Sequence, residues 1–128
     1  QFIVNPPQIK YLDEDVALRQ NVARRYIAEI NNPKVRLPVV PDFSAHAFHL
    51  FPIFCENRDE LQKYLAEKGI GTNIHYPISP HQQECYTEWK SLSLPITEKI
   101  HREELSLPMS PCLTEEQVDW VVQCVNKW

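Results

Sequence analysis

The chain has only two glycines, Gly69 and Gly71, among its 128 residues. A phosphate cradle of the P-loop or dinucleotide type needs several glycines close together so that backbone amides can wrap the anion. No such cradle can be built here. Positive charge is also short: Lys and Arg number 13 against 17 Asp and Glu, a formal net charge of -4. Nucleic-acid binding rests on a basic patch able to neutralise several phosphates, and Arg24-Arg25 sits among acids, so nucleic acid is not an expected partner. No apolar run approaches the ~20 residues that cross a bilayer, and no basic-then-apolar leader opens the chain. This predicts a cytoplasmic protein with no membrane partner. Cys55, Cys85, Cys112 and Cys124 form no C-x-x-C pair, so packing thiols are expected rather than a disulfide framework.

What is present is the composition of an ordinary globular domain, with 43% apolar and 23% charged residues and both signs of charge interspersed. Residues 1–128 read as one small domain, and 1–11, with the Pro6-Pro7 break, read as the remnant of a lead-in from a preceding element. Leu12, Val16, Ala23, Tyr26, Ile27 and Ile30 recur at helical spacing behind an acidic first turn, which predicts an amphipathic helix of about five turns. Asn31-Asn32-Pro33 ends it and an extended connector follows. Phe48 to Phe54 reads as a buried strand. Asn57 with Glu60 offers a capping box for a helix that Gly69 closes, and Ile70 to His75 then reads as a second strand.

Further on, His81 to Trp89 suggests a short helix and Pro95 the first turn of another. Leu105-Ser106-Leu107 is a strand candidate. Thr114 and Gln117 make a capping box before the stripe Val118, Val121, Val122 and Val125. Few strands alternating with helices predict an α+β or α/β small domain, with a sheet of about three strands covered by helices.

The chemistry-bearing residues concentrate mid-chain. His46, His49, His75 and His81 are suited to proton transfer, anion contact or metal ligation, but no cysteine or acid stands at ligand spacing beside them, so no metal site is expected. His49, inside the aromatic run, reads as a core or interface residue. His75 lies at a strand end before a proline-stiffened loop that carries Tyr76, His81 and Gln82. Loops held this way are where sites are built, yet residue types alone leave a site and a rigid connector equally open. Cys85 near His81 could suggest a thiol nucleophile, but no nucleophile sits in a strand-turn-helix elbow. Glu103-Glu104 and Glu115-Glu116 read as solvated residues at helix termini.

The strings ENRDELQKYLAEKGIGTNIHYPISPHQQECY and LSLPITEKIHREELSLPMSPCLTEEQVDWVV, with KYLDEDVALRQNVARRYIAEI and AHAFHLFPIF upstream, resemble the C-terminal part of the DegT/DnrJ/EryC1/StrS family of sugar aminotransferases. The resemblance implies the small domain of a fold type I enzyme that uses pyridoxal phosphate (PLP) to move an amino group onto a nucleotide-linked keto sugar. The wording HYPISPHQQ is most similar to members acting on dTDP-linked 3-keto-6-deoxyhexoses. It further implies a homodimer, a PLP-holding N-terminal domain absent from this chain, and a place for His75 and Tyr76 at the mouth of the site. His81 and Gln82 fall either behind the substrate-contacting residues or at the rim of the site, and His49 either supports it or contacts the substrate. None of Lys10, Lys34, Lys63, Lys68, Lys90, Lys99 and Lys127 has the surroundings of the family's Schiff-base lysine, so the chain is expected to supply no catalytic residue, bind no PLP alone and be inactive by itself. The competing expectation is a free-standing nucleotide-sugar-binding or regulatory module.

Overall fold

In a computed structural model the described residues are 9–128; the lead-in expected over 1–11 lies largely outside them. The expected long helix forms as α1, Leu12–Glu29, with Asp13, Glu14 and Asp15 in its first turn, where negative charge complements the helix dipole. Its end is fastened to the last helix, α4 (Glu115–Lys127). Asn126 accepts from the Asn31 amide at 2.8 Å and donates to the Glu29 carbonyl at 2.9 Å, and Asn32 donates to the Val125 carbonyl at 2.7 Å. Helix α4 begins with the capping box of Thr114 and Gln117 and buries Val118, Val121, Val122, Cys124 and Val125.

The sheet is a two-stranded antiparallel pair of β1 (Phe51–Phe54) and β2 (Glu104–Leu107). Phe51 pairs with Leu107 and Ile53 with Leu105, and cross-strand partners share a face. Those four side chains join Tyr26 of α1, Val125 of α4 and Leu61 and Leu65 of α2 (Arg58–Glu67) in one core cluster. The Tyr26 ring meets Phe51 edge-on at 5.1 Å, and its hydroxyl donates to the Pro108 carbonyl at 3.0 Å. Burial pushes the Tyr26 phenol well above its ordinary range. Helix α3 (Pro95–Glu103) has Pro95 in its first turn and runs into β2 without a loop.

Several expectations are corrected. The sheet has two strands, not about three: from Ile70 to His75 only Asn73 pairs, in an isolated bridge with Ser106. The reason is local. The next pair that would extend the ladder is His75 with Glu104, but the His75 amide is taken by the Glu104 carboxylate and the Glu104 amide by the Ile100 carbonyl of the preceding helix turn, so neither donor is left for it. The first strand starts at Phe51 rather than Phe48, because Phe48 has φ of 47°, a left-handed conformation incompatible with a strand. Its amide donates to His46 Nδ1 at 2.9 Å, which holds that turn. Asn57 makes no side-chain cap to α2. In place of one helix over 81–89 there are two short 3-10 turns, Pro80–Gln82 and Thr87–Trp89.

Candidate functional site

The polar face of β2 and the segment after Asn73 form a connected cluster. Glu104 is 3% exposed and Ser106 3%; both project from β2 on the face opposite Leu105 and Leu107. The Glu104 carboxylate accepts from the His75 backbone amide at 2.6 Å through Oε2 and from the Ser106 hydroxyl at 2.6 Å through Oε1. Ser106 Oγ lies 3.0 Å from His75 Nδ1, and Asn73 Nδ2 lies 3.0 Å from His75 Nε2. The imidazole is thus held at both nitrogens and at its own amide. It stays partly open to solvent, and the Tyr76 ring beside it, at 5.7 Å and 83°, is 66% exposed. The Tyr76 carbonyl meets His101 Nδ1 at 2.6 Å, tying the loop to α3.

Arg58 keeps this frame in place. Its guanidinium is buried at the start of α2 and donates to the Glu104 carbonyl at 3.1 Å and the His101 carbonyl at 3.4 Å. These carbonyls lie where α3 passes into β2, at backbone acceptors that a helix end leaves unpaired. Arg58 therefore joins the first turn of α2 to the strand that carries the cluster.

The other expected site residues scatter. His81 is 2% exposed, so it lies inside this chain rather than at an open rim; Nε2 meets Glu98 Oε1 at 3.2 Å and Nδ1 has no protein partner. Glu98 also accepts from the Leu94 amide at 2.8 Å. That amide first, and His81 second, hold the Glu98 carboxyl below its usual range. Gln82 is exposed, with no side-chain bond recorded. His49 is exposed while Phe48, Phe51 and Ile53 of its run are buried, so of the core-or-interface expectation it is the core half that this chain does not adopt. The structure thus brings His75 and Tyr76 together and leaves His49, His81 and Gln82 apart from them. Cys85 is exposed and its thiol meets the Gln83 side-chain oxygen at 4.0 Å.

Glu103 and Glu104, read from sequence as solvated, are both buried. Glu103 lies near Lys99 at 3.7 Å and Arg36 at 3.8 Å, on the wall of a cavity of about 510 Å³ that includes none of the expected site residues. Among the described residues no group of three or more His, Cys, Asp or Glu converges on a metal position, and no helix is long and apolar enough to span a membrane.

At the His75 cluster the described residues offer no amine that could anchor PLP. No lysine enters the hydrogen-bond network of His75. The two lysines with recorded polar partners are engaged elsewhere, Lys34 with the Trp128 carbonyl and Lys99 with Glu103. What the cluster does is hold an imidazole in one orientation with an exposed phenol beside it.

Residues 4–126 match the family model described as the DegT/DnrJ/EryC1/StrS aminotransferase family. The chain belongs to this family. A dTDP-3-amino-3,6-dideoxy-alpha-D-galactopyranose transaminase of Aneurinibacillus thermoaerophilus is 46% identical over 121 residues, covering 94% of this chain and 33% of the relative. Among solved structures, S. venezuelae DesV superposes with a TM-score of 0.91 at 32% identity, over 96% of this chain and 34% of that one. NtdA of Bacillus subtilis, solved with the cofactor PMP, superposes with a TM-score of 0.80 at 33% identity, over 91% and 28%. The chain therefore spans about a third of the length of the family members it matches.

Proposed function

We propose that this chain is the substrate-facing, C-terminal part of a PLP-dependent aminotransferase acting on a nucleotide-linked keto sugar, of the dTDP-3-keto-6-deoxyhexose kind. The observation that carries the reading is the pinned His75 with the exposed Tyr76 beside it, in a chain whose 46% identical relative is a dTDP-amino-sugar transaminase. An imidazole fixed at both ring nitrogens contacts a ligand without first losing side-chain freedom, which is how a rigid site gains affinity. When bound, the cofactor supplies the electron sink that lets an amino group change carbon. Its anchor belongs to an N-terminal domain outside this chain, in keeping with the one-third coverage of the relatives. In this reading His75 and Tyr76 contact the sugar nucleotide, Gln82 approaches its edge, buried His81 braces the loop from inside, and His49 faces the N-terminal domain or the second subunit of a cytoplasmic homodimer.

The test is an amino-transfer assay of the longer protein, with glutamate as donor and a dTDP-linked 3-keto-6-deoxyhexose as acceptor. Amino sugar should form, and His75→Ala should lower kcat/KM by about tenfold, the worth of one neutral hydrogen bond. Absence of amino-sugar formation would sink the assignment. Formation with an unaffected His75→Ala would leave the enzyme standing and remove His75 from the site.

A further inference from the structure

We infer that Glu104 is a positioning residue that acts through Ser106 to fix the tautomer of His75, presenting Nε2 as a hydrogen-bond acceptor. The inference rests on the reading of His75 as ligand-facing, and it follows from the direction in which each hydrogen must point. The His75 backbone amide can only donate, so Glu104 Oε2 accepts it, at 2.6 Å. The other oxygen, Oε1, accepts the Ser106 hydroxyl at 2.6 Å. With its one hydrogen committed there, Ser106 Oγ can only accept from His75 Nδ1 at 3.0 Å, so Nδ1 carries the proton. A neutral imidazole has one protonated nitrogen, which leaves Nε2 with a lone pair.

The far end of the chain gives the same answer independently. Asn73 Oδ1 accepts the Ile74 backbone amide at 3.0 Å, which fixes the orientation of a side-chain amide whose two ends are otherwise easily exchanged. Asn73 Nδ2 therefore faces His75 Nε2, at 3.0 Å, and a donor there requires an acceptor opposite. From Asn73 through His75 and Ser106, every hydrogen points toward the buried Glu104. The consequence is chemical selectivity. A ligand group that takes the place of the exposed Asn73 amide on Nε2 is a donor, a sugar hydroxyl or an ammonium, and not a phosphate oxygen.

The experiment is nitrogen NMR on the full chain carrying labelled histidine, at a pH where imidazole is neutral. His75 should show a protonated Nδ1 and an unprotonated Nε2, and saturating inorganic phosphate should leave that pattern unchanged. In Glu104→Gln, nearly identical in shape, the single remaining oxygen must take over the His75 amide that Oε2 accepts in the wild type, so the new amide nitrogen faces Ser106 and donates to it. The serine hydrogen then turns to Nδ1 and the proton moves to Nε2, inverting the pattern, and the exposed Asn73 amide, no longer offered an acceptor, gives up its contact with Nε2. A wild-type Nε2–H tautomer, a phosphate-induced shift to that form, or a folded Glu104→Gln with the wild-type pattern would each overturn the inference. A structural role alone would lower stability without exchanging the two nitrogens. Because no sugar or cofactor is present, the result is independent of whether the longer protein transfers amino groups.

Discussion

The two faces of β2 are equally buried and chemically opposite. Leu105 and Leu107, at 0% and 3% exposure, enter the core with Ile53 and Phe51, whereas Glu104 and Ser106, each at 3%, carry the hydrogen-bonded frame of His75. An apolar face is held by area and shape, which many side chains can supply. A polar face is held by directed bonds whose loss leaves a buried group unpaired. One short strand thereby separates stability from site geometry, one residue apart.

The largest expected effect breaks the apolar side. Leu105→Ala removes a fully buried side chain and should cost about 2–5 kcal/mol, read as a lower urea midpoint of the chain. In the fraction that remains folded, the His75 tautomer should be unchanged, because no atom of its network has been removed. A change of tautomer would show that the two faces are not separable.

Ser106→Ala breaks the polar side. It leaves Glu104 Oε1 and His75 Nδ1 without their shared partner, and the expected cost is smaller, about 1–3 kcal/mol. Its effect on His75 should be larger than that of Leu105→Ala, with both neutral tautomers populated in the nitrogen spectrum. The contrast between the two variants is the measurement: stability loss greater for Leu105, tautomer disturbance greater for Ser106.

The apolar half of this contrast was legible in the sequence. Helical spacing announced α1, Thr114 and Gln117 announced the start of α4, and Leu105-Ser106-Leu107 announced β2, because these signals are local. The His75-Tyr76 pair was singled out by its place at an apparent strand end. The residues that support it were not found. Glu104 looks like a solvated acid at a helix terminus because its partner, His75, lies 29 positions away, and Arg58 looks like a surface residue of α2 until its bonds to carbonyls 43 and 46 positions on are seen. The absence of a third strand is illegible for the same reason: nothing in Ile70 to His75 reveals that the amides of Ile74 and His75 go to side chains. The one sequence signal for the polar face is the alternation Glu104-Leu105-Ser106-Leu107, which equally suits a strand with one wet side.

The smallest predicted effect concerns pH, and it separates the regions again. Glu98 holds the Leu94 amide at the start of α3 and meets buried His81, and both contacts lower its carboxyl below the ordinary glutamate value of 4.5. A carboxyl with a depressed value in the folded state stabilises the fold above its unfolded value, and that contribution disappears as pH falls through the folded one. Glu98→Gln has no such charge to lose. The stability difference between wild type and Glu98→Gln should therefore be constant near neutrality and shrink as pH drops below the usual glutamate range, measured as urea midpoints across an acid series. The use of a difference matters because Glu29, Asp42 and Glu116 are lowered as well and titrate in both proteins. The apolar side adds nothing in this window, since Tyr26 is shifted away from it, and Leu105→Ala should leave the shape of the acid limb unaltered while lowering it throughout. A difference between wild type and Glu98→Gln that does not vary with pH would show that Glu98 acts through packing rather than through its charge.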